Sequence, residues 1–244
     1  MRDLGQDKDD HAAGTSRAAR NSRPSRRQVM TATAAAAAGV GIAGVPATAD
    51  AATGAPAVSL GEPGMMTVEF RGRITQSGSS GQSFTGYGFL IRATHAKNSD
   101  LFDGTPPKES TALLTMYATG DLKARVLDTL VHSLDIVGAL TVYQRSQPGA
   151  SFNDPLSFKV GTPVARYDLT LQDVLAVFAA GQGLPTLTGD MRQTAARALS
   201  GPLAGQTFGR VGTRLRMFAT GLGTLTDPVT LNAQLEIAGN WSIE

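Results

Sequence analysis

Met116-Tyr117-Ala118-Thr119-Gly120 and Met217-Phe218-Ala219-Thr220-Gly221 are one pentamer written twice, 101 residues apart. The spacing holds without a gap over residues 112–143 and 213–244. It brings a second pair into line, Leu134-Asp135-Ile136-Val137-Gly138 with Leu235-Glu236-Ile237-Ala238-Gly239. Two pentamers in one register, with conservative replacements between them, mark an internal duplication, and a duplication governs how the rest of a chain is read. Upstream the match fades and its offset changes slightly. Phe84-Thr85-Gly86 faces Leu187-Thr188-Gly189, and Val68–Gln76 faces Ala165–Asp173. The chain therefore reads as one β domain over residues 65–244, made of two diverged units, 65–146 and 163–244. The connection between them carries Pro148, Gly149 and Pro155, with Pro163 just after it, and reads as a loop.

Each unit reads as a set of strands. Val68-Glu69-Phe70-Arg71-Gly72-Arg73-Ile74 alternates apolar and polar residues, as a half-buried strand does. Residues 84–94 are aromatic-rich and punctuated by glycine. Residues 112–119 and 134–143 carry β-branched and aromatic side chains, and their repeats at 214–220 and 235–243 alternate cleanly. Three stretches conflict. Thr170–Gly181 has a helix cap in Thr170 and a stop in Gly181, yet the repeat argues for strand up to about residue 173. Asp190 followed by Ala-rich sequence leaves room for a short helix over 190–199. Residues 122–131 fit either state. The fold class is mainly β, with duplicated four-strand units forming one eight-strand barrel or a sandwich and one or two short helices. Closure into a barrel removes exposed strand edges, and eight strands enclose a filled interior or room for one small ligand. In texture the short, glycine-punctuated strands resemble calycin or allene-oxide-cyclase-type barrels. No motif of those families is matched, so the resemblance assigns no residue a role.

The first 49 residues have a different character. Ser25-Arg26-Arg27-Gln28-Val29-Met30 precedes an uncharged run of Ala, Gly and Val, and Ala47-Thr48-Ala49 supplies a small-residue cleavage site. The motif resembles the leaders of twin-arginine (Tat) exported proteins. That resemblance implies the Tat translocase as a partner, cleavage near Ala49, a secreted or extracytoplasmic location and folding before export. Residues 50–64, rich in Ala, Gly and Pro, read as a flexible linker.

Charge and composition exclude several functions. Of 22 basic and 20 acidic residues, 7 and 5 lie in the first 50, so the domain itself is balanced and offers no basic stripe for nucleic acid. Without cysteine there is no thiolate metal site, iron–sulfur cluster or thiol nucleophile. The apolar run is too short and too Ala-rich for a permanent membrane span.

Candidate chemistry is sparse. Asp128, His132 and Asp135 would share a face only on a helix, so no metal site is assigned. His95 beside Asp100 and Asp103-Gly104 fits a turn better than a catalytic set, since no nucleophile elbow accompanies it. Tyr87, Tyr143 and Trp241 fall on strands and would line a cavity if they point inward; core packing is the competing reading. Asp135 and Glu236 are equivalent acids in the two repeats. These five residues are the candidate ligand-binding set. No catalytic residue is assigned and no cofactor is expected. The expectation is an exported protein that binds a small molecule or another partner. The alternatives are an exported enzyme of isomerase or cyclase type with a site inside the barrel, and a cell-surface structural protein.

Overall fold

The structure, a computed structural model, describes residues 58–59 and 65–244. The leader motif at Ser25, Arg26 and Arg27 lies outside the described residues. Within the stretch read as a linker, Val58–Ser59 forms a short strand, β1. It pairs in parallel with β8, Gln206–Thr207.

The remaining strands are β2 (Met66–Ser77), β3 (Ser83–Ala93), β4 (Leu114–Leu127), β5 (Val131–Gln144), β6 (Thr162–Ala179), β7 (Gln182–Ala196), β9 (Arg214–Asp227) and β10 (Asn232–Ile243). They close into an antiparallel barrel in the order β10-β2-β3-β4-β5-β6-β7-β9. The mainly-β reading holds, as a barrel and not a sandwich. The only α-helix among the described residues is the single turn α1 (Asn98–Leu101), accompanied by three short 3-10 turns.

The short helix for which the sequence leaves room over residues 190–199 is absent. Met191 and Gln193 are buried and Arg192 and Thr194 exposed, the period of two that belongs to β7. The capping signal at Thr170 likewise loses to alternation, and β6 runs unbroken to Ala179. Tertiary pairing on both sides of each segment outweighs local propensity.

The barrel strands fall into two runs of four, β2–β5 and then β6, β7, β9 and β10. Hairpin β4–β5 pairs Gly120 with Gly138, whereas hairpin β9–β10 pairs Gly221 with Ile237 and Ala219 with Gly239. The two hairpins thus differ by two residues in register. Because the side-chain period is two, each residue stays on the same face. Small residues on this inner surface are a geometric need. A Cβ at Gly138 would lie 2.6 Å from Gly120 Cα and collide with the Thr119 carbonyl.

The two ends of the barrel are built differently. One end gathers the four short hairpin turns, at residues 78–82, 128–130, 180–181 and 228–231. The other gathers three long connections, 94–113, 145–161 and 197–213. Leu101, Leu199, Leu203 and Phe208 from these connections are buried at that end. Inside, Trp241 is fully buried, with its ring centroid 5.8 Å from Phe70 and 5.9 Å from Tyr167. The long-connection end is therefore plugged. Connection 145–161 also folds back over the outer wall, where Phe152 and Phe158 pack on Tyr87 and Phe89. Arg145 holds that connection by donating to the Gln147 and Ser157 carbonyls.

Candidate functional site

At the hairpin end the interior is not filled. A cavity of about 150 Å³ lies among Gln76, Arg125, His132, Leu134, Asp173 and Leu235, rimmed by residues of the turns. The next inward positions along four of these strands, Ile74, Ile136, Leu171 and Ile237, line a second, smaller cavity of about 60 Å³ deeper in the barrel. The lining of both is overwhelmingly apolar, a few polar groups on a greasy wall being the usual make-up of a small-molecule site.

Two of those polar groups have defined roles. Arg125 Nη1 and Nη2 donate to the Ser80 and Gly81 carbonyls at 3.0 Å each, which ties β4 to the β2–β3 turn. Partial burial lowers the Arg125 pKa, and it remains a cation. Gln76 Nε2 donates to the same Gly81 carbonyl at 2.9 Å. Gly81 is held at a φ of +57° beneath them, a conformation that favours glycine.

Asp173 differs. Its side chain points inward from β6 and is 5% exposed, and its Oδ1 finds no donor among the described residues. Burial pushes its carboxyl up to about 7, with the Thr186 backbone amide acting weakly in the other direction. Gln76 and Asp173 sit on strands four apart in a ring of eight, hence on opposite walls. They are also the last residues of the two stretches, Val68–Gln76 and Ala165–Asp173, that correspond between repeats. One copy of the position is satisfied within the protein and the other is not.

The five residues expected to bind ligand do not come together. Trp241 faces inward but is packed into the plug, with its indole Nε1 unpaired. Tyr87 borders the deeper cavity, while its ring stacks outside the wall on Phe152 and Phe158. Asp135 is exposed on the outer face of β5. Glu236 is exposed on the outer face of β10 and pairs with Arg73 at 2.7 Å. Tyr143 is half-buried on β5 near the plugged end. Equivalence between repeats selected acids that share an outer face. Of the Asp128–His132–Asp135 trio only His132 reaches the cavity, and no cluster of metal-ligating residues exists among the described residues. Asp100 accepts from the Lys97 amide and caps α1.

Sequence reasoning missed Asp173, Gln76 and Arg125. A signal for the first two was present. Both are polar residues on the inward, otherwise apolar parity of an alternating strand, at matching positions of the repeat. Arg125 had no such signal, because a bulge between Leu122 and Ala124 shifts its parity and turns it inward.

Outside, the barrel carries charge: Asp168, Asp190, Arg192, Arg214 and Arg216 are all exposed. No helix among the described residues is long and apolar enough to cross a membrane. Compared with family models, curated proteins and solved structures, the chain matches none.

Proposed function

We propose that this protein binds a compact apolar small molecule in the mouth of its barrel and is exported by the Tat route suggested by its leader. The carrying observation is the apolar cavity of about 150 Å³ at the hairpin end, set around one unsatisfied buried carboxyl. A cavity of this size accommodates a benzene-sized body. Eight-strand barrels are the size class that holds one small ligand. The plug at the opposite end supports a single entrance. Native mass spectrometry of the protein recovered from an export-competent host, against its denatured mass, tests the reading. A retained small molecule supports it. A bare polypeptide that also fails to take up any aromatic probe sinks it. Export is tested separately, since replacing Arg26 and Arg27 with lysine should leave the protein in the cytoplasm.

A second reading is favoured by Asp173 itself. A carboxyl held near 7 inside a cavity is placed for proton transfer, as an isomerase or cyclase working by shape and one acid–base group requires. It predicts turnover of the bound molecule that Asp173→Asn abolishes while binding survives.

A further inference from the structure

Among the buried side-chain polar atoms that line the mouth cavity, one is left without a hydrogen-bond partner. Arg125 and Gln76 each donate to turn carbonyls, so these two inward donors are already engaged. Asp173 Oδ1 is buried with no donor. A buried acceptor without a partner is costly, and a group that supplies the missing donor recovers that cost. We infer that the cavity selects a neutral, ring-sized apolar molecule bearing a hydroxyl, which donates to Asp173 Oδ1; this rests on the ligand-binding reading above.

The other ligand classes fit less well. A pure hydrocarbon fills the apolar wall but leaves Oδ1 unpaired. An anion would meet the Asp173 carboxyl, while the Arg125 guanidinium is held against Ser80 and Gly81. An ammonium would need an ionised Asp173 and would share the cavity with the Arg125 cation. The other polar groups that line this cavity are His132 on β5, Arg125 on β4, Gln76 on β2, Gln182 on β7 and Thr224 on β9, and none of them is an acid that would draw a cation. The carboxyl's raised pKa agrees with an environment that prefers neutral partners. Pseudo-symmetry sharpens the point. At the matching position of the first repeat, Gln76 finds its partner in the β2–β3 turn, so the vacant valence is particular to the second repeat.

The test is a matched set of probes, namely toluene, phenol, benzylamine and benzoate, titrated into the full chain and its variants and followed by ligand-observed NMR. In the wild-type protein phenol should bind about tenfold more tightly than toluene, the worth of one buried hydrogen bond. Benzoate should bind weakest. In Asp173→Leu the phenol advantage should vanish while toluene binds at least as well. In Asp173→Asn, whose amide carbonyl still accepts, part of the advantage should remain. Equal affinity for toluene and phenol in the wild-type protein overturns the inference and leaves the ligand-binding reading standing. So does a phenol advantage that survives in Asp173→Leu, or a preference for benzylamine or benzoate. If no probe binds at all, both the inference and the reading fall. Should Asp173→Leu not fold, the wild-type series and Asp173→Asn decide the matter alone.

Discussion

The two ends of this barrel start from the same alternating strands and finish in opposite states. At the long-connection end the inward residues are large, Trp241, Tyr167 and Phe70 among them, and Leu199, Leu203 and Phe208 seal them from outside. At the hairpin end the turns are too short to fold back, and the inward row includes glycine (Gly183 and Gly223) together with Gln76, Arg125 and Asp173. One end is built for stability. The other spends some of it, since a buried carboxyl with one oxygen left unpartnered is unfavourable to the fold. Pre-formed sites are often made in this way, with polar groups left for a ligand to complete.

If that division is right, the ends should respond differently to substitution. Trp241→Ala removes the centre of the plug and should lower stability by about 3–5 kcal/mol, as aromatic truncations in cores do. Urea denaturation measures it, and a cost below about 1 kcal/mol would mean that the plug is not where stability resides.

The hairpin end should show itself through pH. Asp173 has a folded-state pKa raised from 3.8 to about 7. The native state therefore holds its proton where the unfolded state has lost it. Stability from this group is complete below about pH 4, declines as pH rises to about 7, and is flat above that. A rise of about three pKa units corresponds to at most about 4 kcal/mol. Asp173→Asn should flatten the profile, and denaturation at pH 5 and pH 8 for both proteins checks it. Unchanged pH dependence in the variant would place the effect elsewhere.

A smaller effect is expected on the outer wall. Phe152→Ala loosens connection 145–161 from Tyr87 and Phe89 and removes the ring beneath Arg73. Its half-buried position sets the cost at about 1–3 kcal/mol, read by urea denaturation, and probe binding at the mouth should be unaffected. Smallest of all is Glu236→Gln. It breaks an exposed ion pair with Arg73 and should cost no more than about 1 kcal/mol, less at high salt. A larger loss would revive Glu236 as a site residue.

Much of the fold was legible because burial imprints a period of two, and the duplication repeats that imprint. Where β-branched residues and aromatics dominated, as in β5 and β10, strand was plain. Where Ala and polar residues dominated, as at 190–199, local helix signals left the state open, and it is pairing with β6 and β9 that fixes the segment as strand up to Ala196. The site was far less legible. Asp135 and Glu236 were conspicuous as matched acids, but matching implies a shared face and does not say which. Asp173 is conspicuous only once the inward parity of β6 is known, and Arg125 only once the bulge in β4 is seen. Trp241 does point inward, but a large aromatic there can fill space as readily as enclose it.

The small β1–β8 pairing has a practical meaning. Gln206–Thr207 belongs to the 197–213 connection at the plugged end, so Val58–Ser59 is clipped there, at the pole opposite the mouth. A dye, bead or surface linker introduced ahead of Val58 would hold the barrel by its closed base and leave the opening facing the solution.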